Sequence, residues 1–92
     1  MNRLIRESEI EAHLVKTVKA KGGIAYKFTS PSRRNVPDRM ILLPGGKLFF
    51  AECKAPRRKA TAGQLREHQR IAELGFGVVI VDSFDIEALF DD

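Results

Sequence analysis

Pro44-Gly45-Gly46-Lys47 separates two β-rich runs, Arg39–Leu43 and Leu48–Lys54, an arrangement that specifies a β-hairpin. With the turn centred between Gly45 and Gly46, the numbers of facing residues sum to about 91. Asp38 then faces position 53 and lies beside Glu52, one residue from direct opposition, the true offset depending on turn type. Glu52 and Lys54 are two apart and project from one face of their strand, while Cys53 points to the apolar side. Two carboxylates and an ammonium therefore converge at the open end of the hairpin.

The rest of the chain supplies what such a hairpin packs against. Residues 7–21 form an amphipathic helix, with Ile10, Leu14, Val15 and Val18 on one face and Gly22-Gly23 as the stop. Ile24–Thr29 is a short strand, and Ser30–Pro37, with two prolines and Arg33-Arg34-Asn35, is a loop. After a basic loop over Ala55–Ala60, a second helix runs from Ala62 to Leu74 and closes at Gly75. The β-branched run from Gly77 to Asp82 is expected as a buried strand. Ser83 is expected to cap a last helical turn through Phe90. The order is helix, three strands, helix, strand and a short final helix: an α/β chain with a mixed central sheet flanked by helices.

Ninety-two residues make a single domain, 1–92, without repeat or linker. A chain this small buries only ~60–65% of the surface it exposes when unfolded, so a second copy would extend its core. Its composition, 43% hydrophobic and 30% charged, is that of a globular protein. No apolar run approaches the roughly 20 residues that span a bilayer, and the first residues lack a signal-peptide core. One cysteine cannot form an internal disulfide, which makes a reducing cytoplasm the expected location. The net charge of +4 is unevenly placed. Asp82, Asp85, Glu87, Asp91 and Asp92 stand in a C-terminal stretch with no basic residue, leaving sixteen basic against seven acidic side chains before it. So basic a body suits a polyanion such as nucleic acid; an ordinary solvated surface is the alternative.

Paired carboxylates repel unless a cation lies between them, and Mg²⁺ or Mn²⁺ prefers such oxygen donors. Lys54 could orient a water or steady charge on a phosphate. A plain ion pair of Asp38 or Glu52 with Lys54 or Arg39 would account for the same residues. Three further polar residues fall on apolar helix faces. Glu11 lies within the stripe of the first helix, where it is paired or metal-bound, unless Ser8 and Glu11 form a capping box. Gln64 and His68 cluster with Leu65, Ile71 and Ala72 on the second helix. Thr61 and Gln64 also fit a capping box, and His68 fits a satisfied, partly buried imidazole without zinc-ligand spacing. Arg33, Arg34, Arg39, Arg57, Arg58 and Lys59 lie in or beside the loops at the hairpin's mouth, where phosphates could bind.

Pro37-Asp38-Arg39, fourteen residues before Glu52-Cys53-Lys54, resembles the two halves of the PD-(D/E)xK nuclease signature. Ile10-Glu11, Gly22-Gly23, Tyr26-Lys27-Phe28, and Gln64 on a helix ending in Leu74-Gly75, extend the likeness to the VRR-NUC (virus-type replication–repair nuclease) domain. The resemblance covers nearly the whole chain and implies a restriction-endonuclease-like αβββαβ core. It implies Glu11, Asp38, Glu52 and the Cys53 backbone carbonyl as ligands of Mg²⁺ or Mn²⁺, with Lys54 catalytic and Gln64 supporting. Cys53 departs from the apolar residue expected there, without consequence for a carbonyl ligand. Lys27, Arg33, Arg34, Arg39, Arg57, Arg58 and Lys59 would contact DNA. Stand-alone phage and bacterial members imply a homodimeric, structure-selective endonuclease acting on branched DNA such as four-way (Holliday) junctions in DNA repair. A flap- or end-trimming nuclease and an inactive DNA-binding module are the alternatives.

Overall fold

The computed structural model describes residues 3–91, so Asp92 of the acidic tail and the first two residues lie outside it. Helix α1 spans Glu7–Ala20, followed by strands β1 (Ile24–Lys27), β2 (Arg39–Leu43) and β3 (Lys47–Cys53), helix α2 (Ala62–Glu73) and strand β4 (Gly77–Val81). The strands form one sheet in the order β1-β2-β3-β4, antiparallel through β3 and parallel between β3 and β4. The expected mixed sheet and element order are therefore present. α2 serves as the crossover that a parallel β3–β4 pair requires.

The hairpin closes more tightly than the sequence suggested. Leu43 pairs with Lys47 and Arg39 with Ala51, so three residues form the turn, with Gly45 and Gly46 both at positive φ. Two consecutive left-handed positions are what glycine accepts without a Cβ penalty. Continuing this register brings Asp38 opposite Glu52, not opposite Cys53. The one-residue correction matters, because cross-strand partners share a face.

Alternation sorts the sheet into two faces. Ile41, Phe49, Ala51, Cys53 and Val81 turn to one side, where Ile10, Leu14 and Val18 of α1 complete a core of fully or nearly fully buried side chains. Each such aliphatic side chain contributes about 1.5–3 kcal/mol by leaving water. Glu52 and Lys54 belong to the other face, beneath α2. The chain end also packs on the core through Ile86, Leu89 and Phe90. Lys47 Nζ donates to the Leu89 and Asp91 carbonyls at 3.1 Å each, fastening it to the turn end of the hairpin.

Three local expectations are corrected. α1 begins after Arg6, whose N–H donates to the Glu9 carboxylate at 2.8 Å, so Glu9 closes the first turn and Ser8-x-x-Glu11 is not the cap. β4 is an edge strand with Ile80 40% exposed; its apolar sequence reflects contacts on one side, not burial on both. The final turn, Glu87–Phe90, is a 3₁₀ helix that Ser83 does not cap; Ser83 Oγ accepts instead from the Asp85 N–H at 3.2 Å. Among the described residues, no helix is long and apolar enough to cross a membrane.

Candidate active site

Strand β3 carries Glu52 into the interior at its C-terminal end, where the side chain is 3% exposed. Asp38, just before β2, is tied to the same end: its Oδ2 accepts from the Cys53 N–H at 2.9 Å and its carbonyl from the Phe28 N–H at 2.8 Å. Lys54 leaves the strand with its N–H donated to the Val81 carbonyl at 2.9 Å, and its Nζ stands 3.4 Å from Glu52 Oε2. The hairpin thus places Asp38, Glu52 and Lys54 together.

Gln64 joins them from α2 and serves two purposes. Thr61 Oγ1 accepts from the Gln64 N–H at 3.1 Å, while Gln64 Oε1 accepts from the Thr61 N–H at 2.9 Å, a reciprocal capping box. The remaining amide nitrogen, Nε2, donates to Glu52 Oε2 at 3.1 Å. The two alternatives posed by the sequence are therefore one arrangement: the cap fixes the amide that holds the carboxylate.

The other Glu52 oxygen has no such partner. Oε1 is buried with no hydrogen bond, and the buried Nε2 of His68 faces it at 3.8 Å, equally unpartnered. His68 is buried as expected but not satisfied. Burial, then the proximity of Lys54, hold its imidazole below the usual pKa, so it adds no positive charge at neutral pH. Burial first, and then repulsion from Asp38, push the Glu52 carboxyl up to about 7 against the attraction of Lys54. Glu7, in the first turn of α1, adds to that repulsion. Its role was not recognised from sequence, although it lies one helical turn before Glu11 on the same face.

Glu11 occupies the predicted stripe but has other partners. Its Oε2 accepts from Arg39 Nε at 2.8 Å and Lys27 Nζ at 3.1 Å, side chains that face each other across β1 and β2. Burial raises its pKa, but these two cations outweigh burial and hold it below the ordinary value. This group belongs to the α1 face, whereas Glu52 belongs to the α2 face. Among the described residues, no three His, Cys, Asp or Glu side chains come together as a metal cluster, so Glu11 does not join Asp38 and Glu52 here. Two carboxylates with an unpartnered buried oxygen still suit Mg²⁺, which keeps several waters and commonly uses only one or two protein carboxylates. Cys53 turns its side chain into the core, where burial pushes the thiol up to about 12 and leaves only its backbone for ligation.

The basic residues divide. Arg34, Arg57, Arg58 and Lys59 are exposed on loops, Arg57 at φ 70°. Arg33 is held by a bidentate pair with the buried Glu67, both bonds 2.8 Å. Arg39 is committed to Glu11 and to the Ala25 carbonyl at 3.0 Å, so it braces the sheet instead of reaching outward. Lys27 remains 61% exposed while contacting Glu11. Leu65, expected beside His68 on the apolar stripe, is 52% exposed; Glu67 is buried by its pairing with Arg33.

No protein-family model matches the chain. It is 58% identical over 87 residues to "Putative nuclease p44" of Acyrthosiphon pisum secondary endosymbiont phage 1, covering 95% of this chain and 94% of that protein. A solved structure described as a VRR_NUC domain superposes with a TM-score of 0.80 at 33% identity, covering 85% of each chain. A hairpin that sets Asp38 against Glu52-Cys53-Lys54, a glutamine reaching down from the following helix, and these two likenesses agree: the chain belongs to the VRR-NUC family of nucleases.

Proposed function

We propose that this nuclease is a divalent-metal-dependent endonuclease that hydrolyses phosphodiester bonds in branched DNA, including four-way junctions, as a homodimer. The observation that carries the chemistry is the divided environment of Glu52. Gln64 and Lys54 hold one oxygen, while the other is buried and unpartnered, and the charge of Asp38 is felt by the carboxyl as a whole. Leaving a buried carboxylate oxygen bare costs roughly 1–3 kcal/mol or more, a cost expected where a ligand completes the site.

Asp38, Glu52 and the Cys53 carbonyl would hold Mg²⁺ or Mn²⁺, which when bound supplies charge neutralisation and an acidified water. Lys54, 15% exposed on its side chain, is positioned to steady negative charge developing on a phosphate. Gln64 Nε2, donating to Glu52 Oε2, would help to orient that carboxylate. Glu11 could enter the metal shell only by giving up Arg39 or Lys27; in the arrangement seen it orients those two cations. Arg34, Arg57, Arg58 and Lys59 would hold flanking phosphates. The dimer reading rests on chain size and on two-strand cutting, which needs two symmetric sites.

The test is incubation with labelled four-way junction, flap and linear duplex, with and without Mg²⁺ or Mn²⁺, alongside light scattering. Metal-dependent cutting with junctions preferred, by a dimer, is expected. Absence of metal-dependent cleavage on all three would refute the enzyme, and equal rates on junction and linear duplex would refute the selectivity. A monomer would remove the two-strand geometry.

A further inference from the structure

Beside α2, next to the side that meets Glu52, lies a feature that catalysis does not use. A groove of about 450 Å³ opens between α2 and the sheet, with Phe28, Phe50, Leu74 and Phe76 among its walls. The rings of Phe28 and Phe50 are 5.3 Å apart and those of Phe50 and Phe76 are 6.5 Å apart, so three aromatic rings stand in a row along one wall. Phe76 is 47% and Leu74 73% exposed. The rim is cationic. A polar notch of about 320 Å³ formed by Arg33, Arg34, Asn35, Arg66 and Arg70 adjoins the groove and shares Arg33, Glu67 and Arg70 with it. Glu67 is the lone acid there, spent on Arg33 at 2.8 Å and Arg70 at 3.7 Å.

We propose that this groove and notch form a binding site for an unpaired nucleotide of the nuclease's substrate. The base would lie against the Phe50–Phe76 wall and a neighbouring phosphate in the arginine notch. The inference rests on the DNA-cleaving reading above and deepens it. Its first support is chemical pairing: an aromatic wall that accepts any base, bordered by guanidinium groups that accept phosphate, is how single strands are held without sequence preference. Its second support is position. Phe50 and Glu52 point to the same side of β3 two residues apart, which separates their columns by about 7 Å. A strand cut at Glu52 would therefore present an adjacent nucleotide to the groove.

A second copy of the chain is the competing occupant, and the rim argues against it. A two-fold contact centred on the groove would bring the same arginines against their own images, with Glu67 already engaged. A duplex does not fit either, because paired bases offer no free face to the aromatic wall.

The test measures affinity in EDTA, where cleavage does not interfere, by fluorescence anisotropy with a labelled oligothymidylate and a fully paired hairpin of equal length. Phe76→Ala is expected to lower affinity for the single strand by about 5- to 100-fold, the worth of one stacked base, and to narrow the single-strand-to-duplex ratio accordingly. Arg66→Glu should weaken single-strand binding and reduce its salt slope by about one. Leu74→Ser, at an exposed position, gives a second reading of the groove should Phe76→Ala fold poorly. Equal losses on both ligands, or no loss on either, would overturn the proposal. So would a loss that appears only with dissociation of a dimer in sedimentation, which would assign the groove to a second copy. Because no cleavage is needed, a chain that cuts nothing can still show the pocket. A chain that cuts but shows no single-strand preference keeps the nuclease and loses the pocket.

Discussion

Glu52→Gln should make the metal-free protein more stable at alkaline pH while destroying its function. In the folded chain the Glu52 carboxyl titrates near 7, against an ordinary 4.5, because burial and then Asp38 oppose its charge. A raised folded pKa means the folded state holds the proton more tightly. The stability associated with that proton is fully present below about pH 4.5 and is lost as pH rises through 7. The displacement corresponds to roughly 3 kcal/mol, of which about 2 kcal/mol is a conservative expectation once relaxation of the charged state is allowed for. A glutamine keeps the shape and stays neutral. Urea denaturation in EDTA across pH 4 to 8.5 should give midpoints close together at the acid end. They should diverge through pH 5–7, with the variant ahead by about 2 kcal/mol above pH 8, or about 10 °C in Tm for a domain this size. Adding Mn²⁺ should raise the Tm of the wild-type protein and leave the variant unmoved. A variant less stable than wild type at pH 8, or a gap independent of pH, would refute the reasoning.

Gln64→Ala removes both half of the α2 cap and the donor to Glu52. A loss of about 1–2 kcal/mol in thermal unfolding is expected, with weaker metal binding beside it. Gln64→Glu should keep the Thr61 N–H bond and most of the stability, yet lose cleavage by placing a second carboxylate against Glu52. Glu11→Gln tests whether this residue braces the sheet: its folded pKa is depressed, so its contribution exists above the ordinary carboxylate pKa and is lost as pH falls. The expected cost is about 1–2 kcal/mol at pH 7, fading below about pH 4, in paired urea titrations. A Glu11→Gln protein of unchanged stability at pH 7 would contradict the bracing role.

What could be read from the chain followed periodicity. The hairpin, both helices and the order of elements along the chain were visible because apolar spacing and glycine-rich turns are local signals. The register of Asp38 was not, because it depended on whether three or four residues made the turn, and Pro44-Gly45-Gly46-Lys47 permits either. Glu11 was correctly placed on the inward face, but its partners, Lys27 and Arg39, became neighbours only when β1 paired with β2. His68 illustrates the same limit. Helical spacing predicted its burial, whereas the bare oxygen of Glu52 in front of it arises from the sheet, the hairpin and α2 meeting at one point. The edge position of β4 was hidden because an apolar run reads alike whether one face or two are covered. The burial of Glu67 has no local signal, since it depends on the 30–36 loop bringing Arg33 to it.

The most direct trial of the central claim is Mn²⁺ binding followed by electron paramagnetic resonance on the wild-type protein and on Asp38→Asn, Glu52→Gln and Lys54→Ala. If Asp38 and Glu52 form the metal centre, the first two variants lose affinity by tenfold or more on the scale of a removed ligand. Lys54→Ala should retain the ion while losing cleavage. Mn²⁺ bound equally well by wild type, Asp38→Asn and Glu52→Gln would place the metal, and with it the catalytic centre, elsewhere.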